Sequence, residues 1–367
     1  MSVELIPALD PAPLPGPLWL FHVLWVVTFL IHLLFVNAVL GGTLLAVIAS
    51  SSSAGHGREI QRVLTGLNSW AVSLAITFGI APLLFMQVLF GRFFYSATIL
   101  LAWAWFGMLG LLMVGYYLNY LAKHRLQGER SAAVVLWIEA ACFVSIAAIQ
   151  VAINLLHLQP GRWSAVADSS WLAIADPSFA PRFLHFILAA VAMAGVLLAW
   201  IAVRRAGRGG DHAVCAGMAR FGIRAALVTT VLQMGDGLWL LLSLPAEILK
   251  GLMHGGVATM GPLTLGIVVG LVLLVILAQI HDPLAQATTV RRVMELMVGA
   301  ITLMVLTRHQ LRGIYLAAAN PTDGMTVAPQ WDVFALFVIA FIGCLGLVVW
   351  AVVRALRDRP GAGEPVA

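Results

Sequence analysis

Apolar residues in this chain gather into long unbroken runs, not into the one-sided spacing of a helix that buries a single stripe. The runs cover 18–50, 66–96, 97–121, 133–157, 181–203, 221–244, 257–280, 291–307 and 332–354. Each meets or approaches the ~20 residues that a helix needs to cross a bilayer. Hydrocarbon cannot satisfy a free N–H or C=O, so such runs fold as helices whose backbone bonds stay within the segment. None shows the alternating ~10-residue pattern of a membrane barrel strand. The pattern predicts an all-α polytopic membrane bundle with about nine transmembrane helices, forming one integral domain over 1–354 and a polar cytoplasmic tail over 355–367. The first run is too long for a signal-peptide core and has no basic residue before it, so it reads as a retained helix.

Composition agrees with this reading. Of 367 residues, 61% are hydrophobic and only 10% charged, and the mean hydropathy is +0.97. Aqueous surfaces need far more charge, which excludes a soluble globular domain. Most of the 21 Lys and Arg fall near 51–65, 122–132, 204–224, 281–292 and 354–367, the alternate connections that share one side of the membrane. The positive-inside rule then places the N-terminus outside and the C-terminus inside. The net charge of +5 follows from this bias and requires no nucleic acid. Cys142, Cys215 and Cys344 are far apart and form no CxxC or CxxCH, so a disulfide framework, a covalently attached haem or a zinc site is not expected.

Polar residues at membrane depth are costly unless they ligate, pair or carry protons, and they mark candidate sites. His56, His124, His212 and His281 fall in or beside the basic connections and read as solvated. His22, His157, His185, His254 and His309 lie at outer helix ends, with His32 about ten residues deeper. Gln150, Asn154 and His157 recur at i, i+4 and i+7, one stripe that must face protein. The stripe suits either an interhelical hydrogen-bond seam or a site. Asp236 needs a buried partner, for which Arg308, Arg312 or a histidine are candidates. Glu139 and Glu295 suit snorkelling toward the inner interface or a proton path. Arg308 and Arg312 flank His309 and would either anchor the interface or hold an anion. His185 begins the fifth span and Met260 the seventh, both near the outer side; Met260 suits either packing or, if the two helices face each other, a His/Met axial set for haem iron. Gly79-Ile80-Ala81-Pro82 and Gly261-Pro262 are candidate helix breaks.

The order of these pieces resembles cytochrome bd oxidase subunit I. Leu30-Ile31-His32-Leu33-Leu34-Phe35-Val36 followed by Leu40-Gly41 is similar to that family's first helix. Gly79 to Arg92, with Tyr95-Ser96 after it, resembles the second. Asn154 with Pro160, Phe183-Leu184-His185, Gly235-Asp236, Met260 and Arg308 follow in the family's order. The resemblance implies haem b, two or more per chain, with His185 and Met260 as axial ligands of a low-spin haem. It implies that His32 ligates a second, deeper haem, with Arg308 beside both.

Two departures from the family stand out. Gln87 occupies the place of the family's second-helix glutamate, and its eighth-helix glutamate falls near Val305. The family's long quinol-associated loop is cut to about ten residues here. The resemblance is therefore to a divergent branch associated with c-type cytochromes, in which His309 stands in for a missing acid and His22, His157 and His254 ligate further haems. Candidate catalytic residues are His32, Gln87 and Arg308. Candidate cofactor residues are His32, His185, Met260, His157, His309, Arg308 and Asp236. The expected function is a haem b subunit in a bacterial or archaeal inner membrane, moving electrons between quinol or an oxygen-type acceptor and an outer-face c-type cytochrome. A solute or proton transporter and a structural anchor for a redox partner are the alternatives.

Overall fold

The computed structural model describes residues 6–8, 12–51, 55–319, 322 and 324–357. The tail beyond 357, Ser52, Ser53 and the side chain of Cys344 lie outside that description. Eleven α-helices are present among the described residues: α1 (Leu18–Ser50), α2 (Gly57–Leu100), α3 (Ala102–Gln127), α4 (Ala133–Leu158), α5 (Trp163–Asp168), α6 (Phe179–Ala206), α7 (His212–Leu242), α8 (Ala246–His254), α9 (Gly256–Ala278), α10 (Ala287–Leu316) and α11 (Trp331–Arg357). No strand occurs among them beyond an isolated bridge between Leu14 and Val327. The nine long helices coincide with the nine apolar runs. Seven of them, α1 to α4, α6, α7 and α9, contain an 18-residue window apolar enough to cross a membrane. The chain is a multi-pass, all-α membrane bundle. By contacts it divides into two units, Met1–Ala8 with His22–Asp323, and Leu9–Phe21 with Gly324–Ala367. In the smaller unit α11 follows the Leu14–Val327 bridge and runs past the expected boundary at 354.

Within the larger unit, α6 and α7 pack most extensively. A Cβ on Gly195 would lie 2.6 Å from the Gly222 carbonyl oxygen, and one on Gly222 would lie 2.3 Å from that of Gly195. Only glycine at both positions lets the two backbones approach so closely. The second run extends into a 44-residue helix. Pro82 lies inside α2 without ending it, and the non-helical turn comes at Phe90 (φ −135°, ψ 23°). The expected break at Gly79–Pro82 is thus displaced by two turns.

A polar seam joins the helices toward their basic end. Thr43 Oγ1 donates to Glu139 Oε1 at 3.2 Å, and Asn68 Nδ2 donates to Thr43 Oγ1 at 2.9 Å. Glu139 has no exposed surface, so the snorkelling expectation fails for it. Glu295, paired with exposed Arg291 at 3.2 Å, does face out. At the basic end Glu129 bonds both Arg62 and Arg58, and these two guanidinium groups hold its carboxyl below the usual carboxylate range.

At the opposite end the connection from α4 to α6 is a small cap containing α5. Trp163 is buried and its indole N–H donates to the Leu156 carbonyl at 2.9 Å, whereas Trp171 is exposed. Asp176 is the hub of the cap. It accepts from Ser178 N and Oγ at 2.8 and 2.6 Å, from Gln159 Nε2 at 2.9 Å and from Arg162 Nη1 at 2.6 Å. Burial works to raise its pKa, but the Ser178, Gln159 and Arg162 contacts outweigh it and hold the carboxyl below its ordinary value. A depressed carboxylate contributes stability above its unfolded pKa and loses it as pH falls through the folded value. Asp176→Ala should destabilise the cap by about 2–3 kcal/mol, read as faster tryptic cleavage after Arg162. Wild type should approach the variant's cleavage susceptibility only when preincubated below the ordinary carboxylate range.

Candidate functional site

A cavity of about 380 Å³ opens among α1, α2, α3, α4, α6 and α10 toward the end away from the basic residues. That volume falls within the roughly 300–1,000 Å³ of small-molecule and cofactor sites. Its wall is mostly aliphatic and aromatic, and its polar members include His32, His157, Arg308, Gln150 and Asn154. The i, i+4, i+7 stripe of α4 therefore faces the cavity.

His32 Nδ1 lies 2.8 Å from the Ala75 carbonyl oxygen. A carbonyl only accepts, so Nδ1 carries the proton and Nε2 keeps its lone pair. Metal-ligating histidines are oriented in the same way, by donating the other ring N–H to a carbonyl or carboxylate. Gly79 makes room for the ring, since a Cβ there would lie 2.9 Å from its Nδ1 and Cε1. His157 is 1% exposed, and both of its ring nitrogens are buried without a partner. The edge of Phe90, at the α2 kink, packs 5.9 Å from it, centroid to centroid.

One arginine lines the cavity and two more stand near it. Arg308, on the cavity wall, is half-buried and Arg312, off it, is 1% exposed; Arg308 Nε together with Arg312 Nε and Nη1 find no partner. Arg182 on α6 is half-buried beside Tyr315, off the cavity wall and near the Asp176 charge, and its Nε and Nη2 find no partner. The guanidinium of Arg312 lies 4.1 Å from the Trp25 ring centroid and 5.2 Å from that of Phe90, and Arg308 lies 4.9 Å from Phe29. Among the described residues no carboxylate forms an ion pair with Arg308 or Arg312.

The remaining candidates lie off this cavity. His309 is not on its wall but packs against His22 at 5.1 Å and Trp25 at 5.3 Å, so the structure does not place it where a missing acid beside His32 would stand. Gln87 is half-buried next to Met86, which does line the cavity. Val305 is buried in the core. His185 forms a second centre between α6 and α7. Its Nδ1 meets Asp236 Oδ2 at 3.0 Å, and Gln233 Nε2 stands 3.3 Å from its Nε2. Of the partners considered for Asp236, the structure selects the histidine. Met260 is half-buried in the second turn of α9. Both α6 and α9 pack on α7, so His185 and Met260 flank the same helix. Among the described residues no group of three or more His, Cys, Asp or Glu is arranged to hold a free metal ion.

Trp25, Phe90, Arg182 and Tyr315 escaped the sequence reading, as did the pairing of His22 with His309. One signal was available: His22, Trp25, Phe29 and His32 recur at i, i+3, i+7 and i+10, one face of α1.

No protein-family model and no curated protein sequence matches the chain. Among solved structures it is similar to the bd oxidase from Geobacillus thermodenitrificans, at 14% identity and a TM-score of 0.64, covering 95% of this chain and 100% of that one. The fold is bd-oxidase-like. At that identity the likeness speaks for the arrangement of helices alone.

Proposed function

We propose that this chain is the haem b subunit of a respiratory electron-transfer complex, a divergent member of the bd superfamily. It passes electrons between quinol or an oxygen-type acceptor and a c-type cytochrome on the outer face of a bacterial or archaeal inner membrane. The region 1–354 is its haem-binding domain and 355–367 its cytoplasmic tail. The observation that carries this reading is His32, with Nδ1 committed to Ala75 O and Nε2 free, on the wall of a cofactor-sized cavity.

The residues fit haem on chemical grounds. His32 offers the lone pair that iron requires. Arg308 on the cavity wall and Arg312 one turn beyond it are guanidinium groups that no carboxylate pairs among the described residues, and planar guanidinium forks suit carboxylates such as propionates. His157 offers an additional ring donor there. A second haem is assigned to His185, oriented by Asp236, with Met260 as its further ligand; this His/Met set raises the reduction potential. Bound iron supplies a one-electron couple. The protein's part is to orient the ligands, neutralise the carboxylates and exclude water.

Electron transfer is favoured over oxygen reduction because Gln87 and Val305 cannot supply a ligating or proton-carrying carboxylate. The transporter alternative loses support from α2, which runs unbroken through Pro82. Purified protein should give a reduced-minus-oxidised haem spectrum, with haem b in the pyridine haemochrome assay. A folded, spectrally silent protein that catalyses solute counterflow in proteoliposomes would replace this reading with the transporter.

A further inference from the structure

A second cavity, of about 250 Å³, lies at the basic end of the bundle among α2, α3 and α6, away from both proposed haem sites. Its wall carries three cations, Arg62 of α2, Lys123 of α3 and Arg205 of α6, and one acid, Glu59. Glu59 accepts from Arg205 Nη1 at 2.7 Å and stands 3.8 Å from Arg62 Nη1. Arg62 turns Nη2 and Nε to the Leu126 carbonyl, at 3.1 and 3.3 Å, and shares Glu129 with Arg58. Lys123 forms no ion pair among the described residues. Arg58, Arg62, Lys123 and Arg205 therefore meet only Glu59 and Glu129, an excess of two positive charges.

Apolar surface leads from this pocket into the bilayer. On α2, Glu59, Val63, Gly66 and Trp70 recur at i, i+4, i+7 and i+11, and on α3 Tyr116, Tyr120, Lys123 and Gln127 do the same, so each set shares one helix face. Val63 lines the pocket, a Cβ on Gly66 would meet no atom within 4 Å, and Trp70 and Tyr120 are exposed. Farther along, Tyr116 holds α3 to α2, its hydroxyl donating to the Ser69 carbonyl at 3.1 Å and meeting Ser73 Oγ at 2.6 Å.

The two halves of this surface select an amphiphile. A soluble anion would meet the cations and leave the apolar strip bare; a neutral lipid would do the reverse. Basic pockets between helices on the cytoplasmic side suit anionic headgroups, and Trp and Tyr favour the level where headgroup meets chain. We propose that the pocket binds the phosphodiester of one anionic glycerophospholipid of the inner leaflet, such as phosphatidylglycerol. Lys123 and Arg205 meet the phosphate, and one acyl chain lies along Val63, Gly66 and Trp70. The headgroup bridges α3 and α6 across the first turns of α2 and supplies the charge that Glu59 and Glu129 leave unmet. The site is independent of the haem function.

The test titrates delipidated full-length protein in dodecyl maltoside, with bound lipid counted by native mass spectrometry and the unfolding midpoint followed in parallel. Dioleoylphosphatidylglycerol should bind and raise the midpoint, whereas dioleoylphosphatidylcholine and inorganic phosphate should do neither. Lys123→Gln and Arg205→Gln should each weaken binding about fivefold, the share of one basic residue near anionic lipid. Lys123→Arg should retain it. Gly66→Leu, which fills the strip and leaves every charge in place, should weaken it as well. Arg292→Gln, which removes an exposed charge at the same end of the bundle on α10, should bind as wild type does. Equal binding of the phosphatidylcholine would overturn the proposal. So would a loss in Arg292→Gln equal to that in Lys123→Gln, which would mean diffuse attraction to the basic surface. Stabilisation by phosphate alone, with Gly66→Leu silent, would replace the lipid with a soluble anion. The haem spectrum of the same samples should be unchanged by every variant, and its absence from folded protein would bear on the proposed function alone.

Discussion

His32→Ala is expected to remove about one haem per chain, because an axial imidazole has no substitute on that stretch of the cavity wall. The other polar histidine of the cavity, His157, belongs to the level of Phe90 at the far end of α2. Phe90 follows Gly79 by eleven residues, about 16 Å along a helix, so His157 cannot swing in as a replacement. Gly79→Val should reproduce the loss without touching the ligand. Its Cβ would lie 2.9 Å from the His32 ring, which must then leave the Ala75 carbonyl. Haem-to-protein ratios from pyridine haemochrome analysis check both variants. The His185 haem should survive in each, so the spectrum should narrow to one component. Full haem content in His32→Ala would remove His32 from the ligand set.

Arg312→Met should act in opposite directions on the two forms of the protein. Without haem, Arg312 is a buried cation with Nε and Nη1 unpaired and Arg308 close by. Its stacking on Trp25 returns about 2 kcal/mol when desolvated, which is less than the several kcal/mol spent on removing an ion from water. A methionine of similar length should therefore stabilise the haem-free protein by about 1–4 kcal/mol. With haem, the same change removes a partner from a buried carboxylate, a loss of about 2–5 kcal/mol in binding. Thermal unfolding of the apo protein should move up and haem retention should move down. A parallel fall in both would mean that Arg312 is a packing residue.

Much of the helix pattern was legible because bilayer thickness imposes a length on every apolar run. The local rules were weaker guides. Pro82 reads as a break, yet its ring sits in continuous helix, and the bend falls two turns on at Phe90, beside Gly91, a glycine that the sequence reading did not single out as a break. Asp236 was visible as a buried acid, and its choice of His185 over Arg308 required the α6–α7 crossing that Gly195 and Gly222 permit. Glu139 looked interfacial by its distance from the basic loops, but the Thr43 and Asn68 partners that keep it inside come from other helices. The His22–His309 contact joins residues at opposite ends of the sequence, and no spacing rule reaches that far.

The arginines of α10 also bear on how the protein is made. Among the helices of the larger unit long enough to span, α10 alone lacks an 18-residue window apolar enough to cross a membrane unaided, and its charged residues crowd both ends, Arg291, Arg292 and Glu295 at one and Arg308 and Arg312 at the other. Its entry into the bilayer therefore depends on α9, against which it packs closely. The order in which the two helices emerge then bears on biogenesis. A chain in which α9 fails to pair with α10 carries one poorly anchored helix, a feature that membrane quality control can recognise.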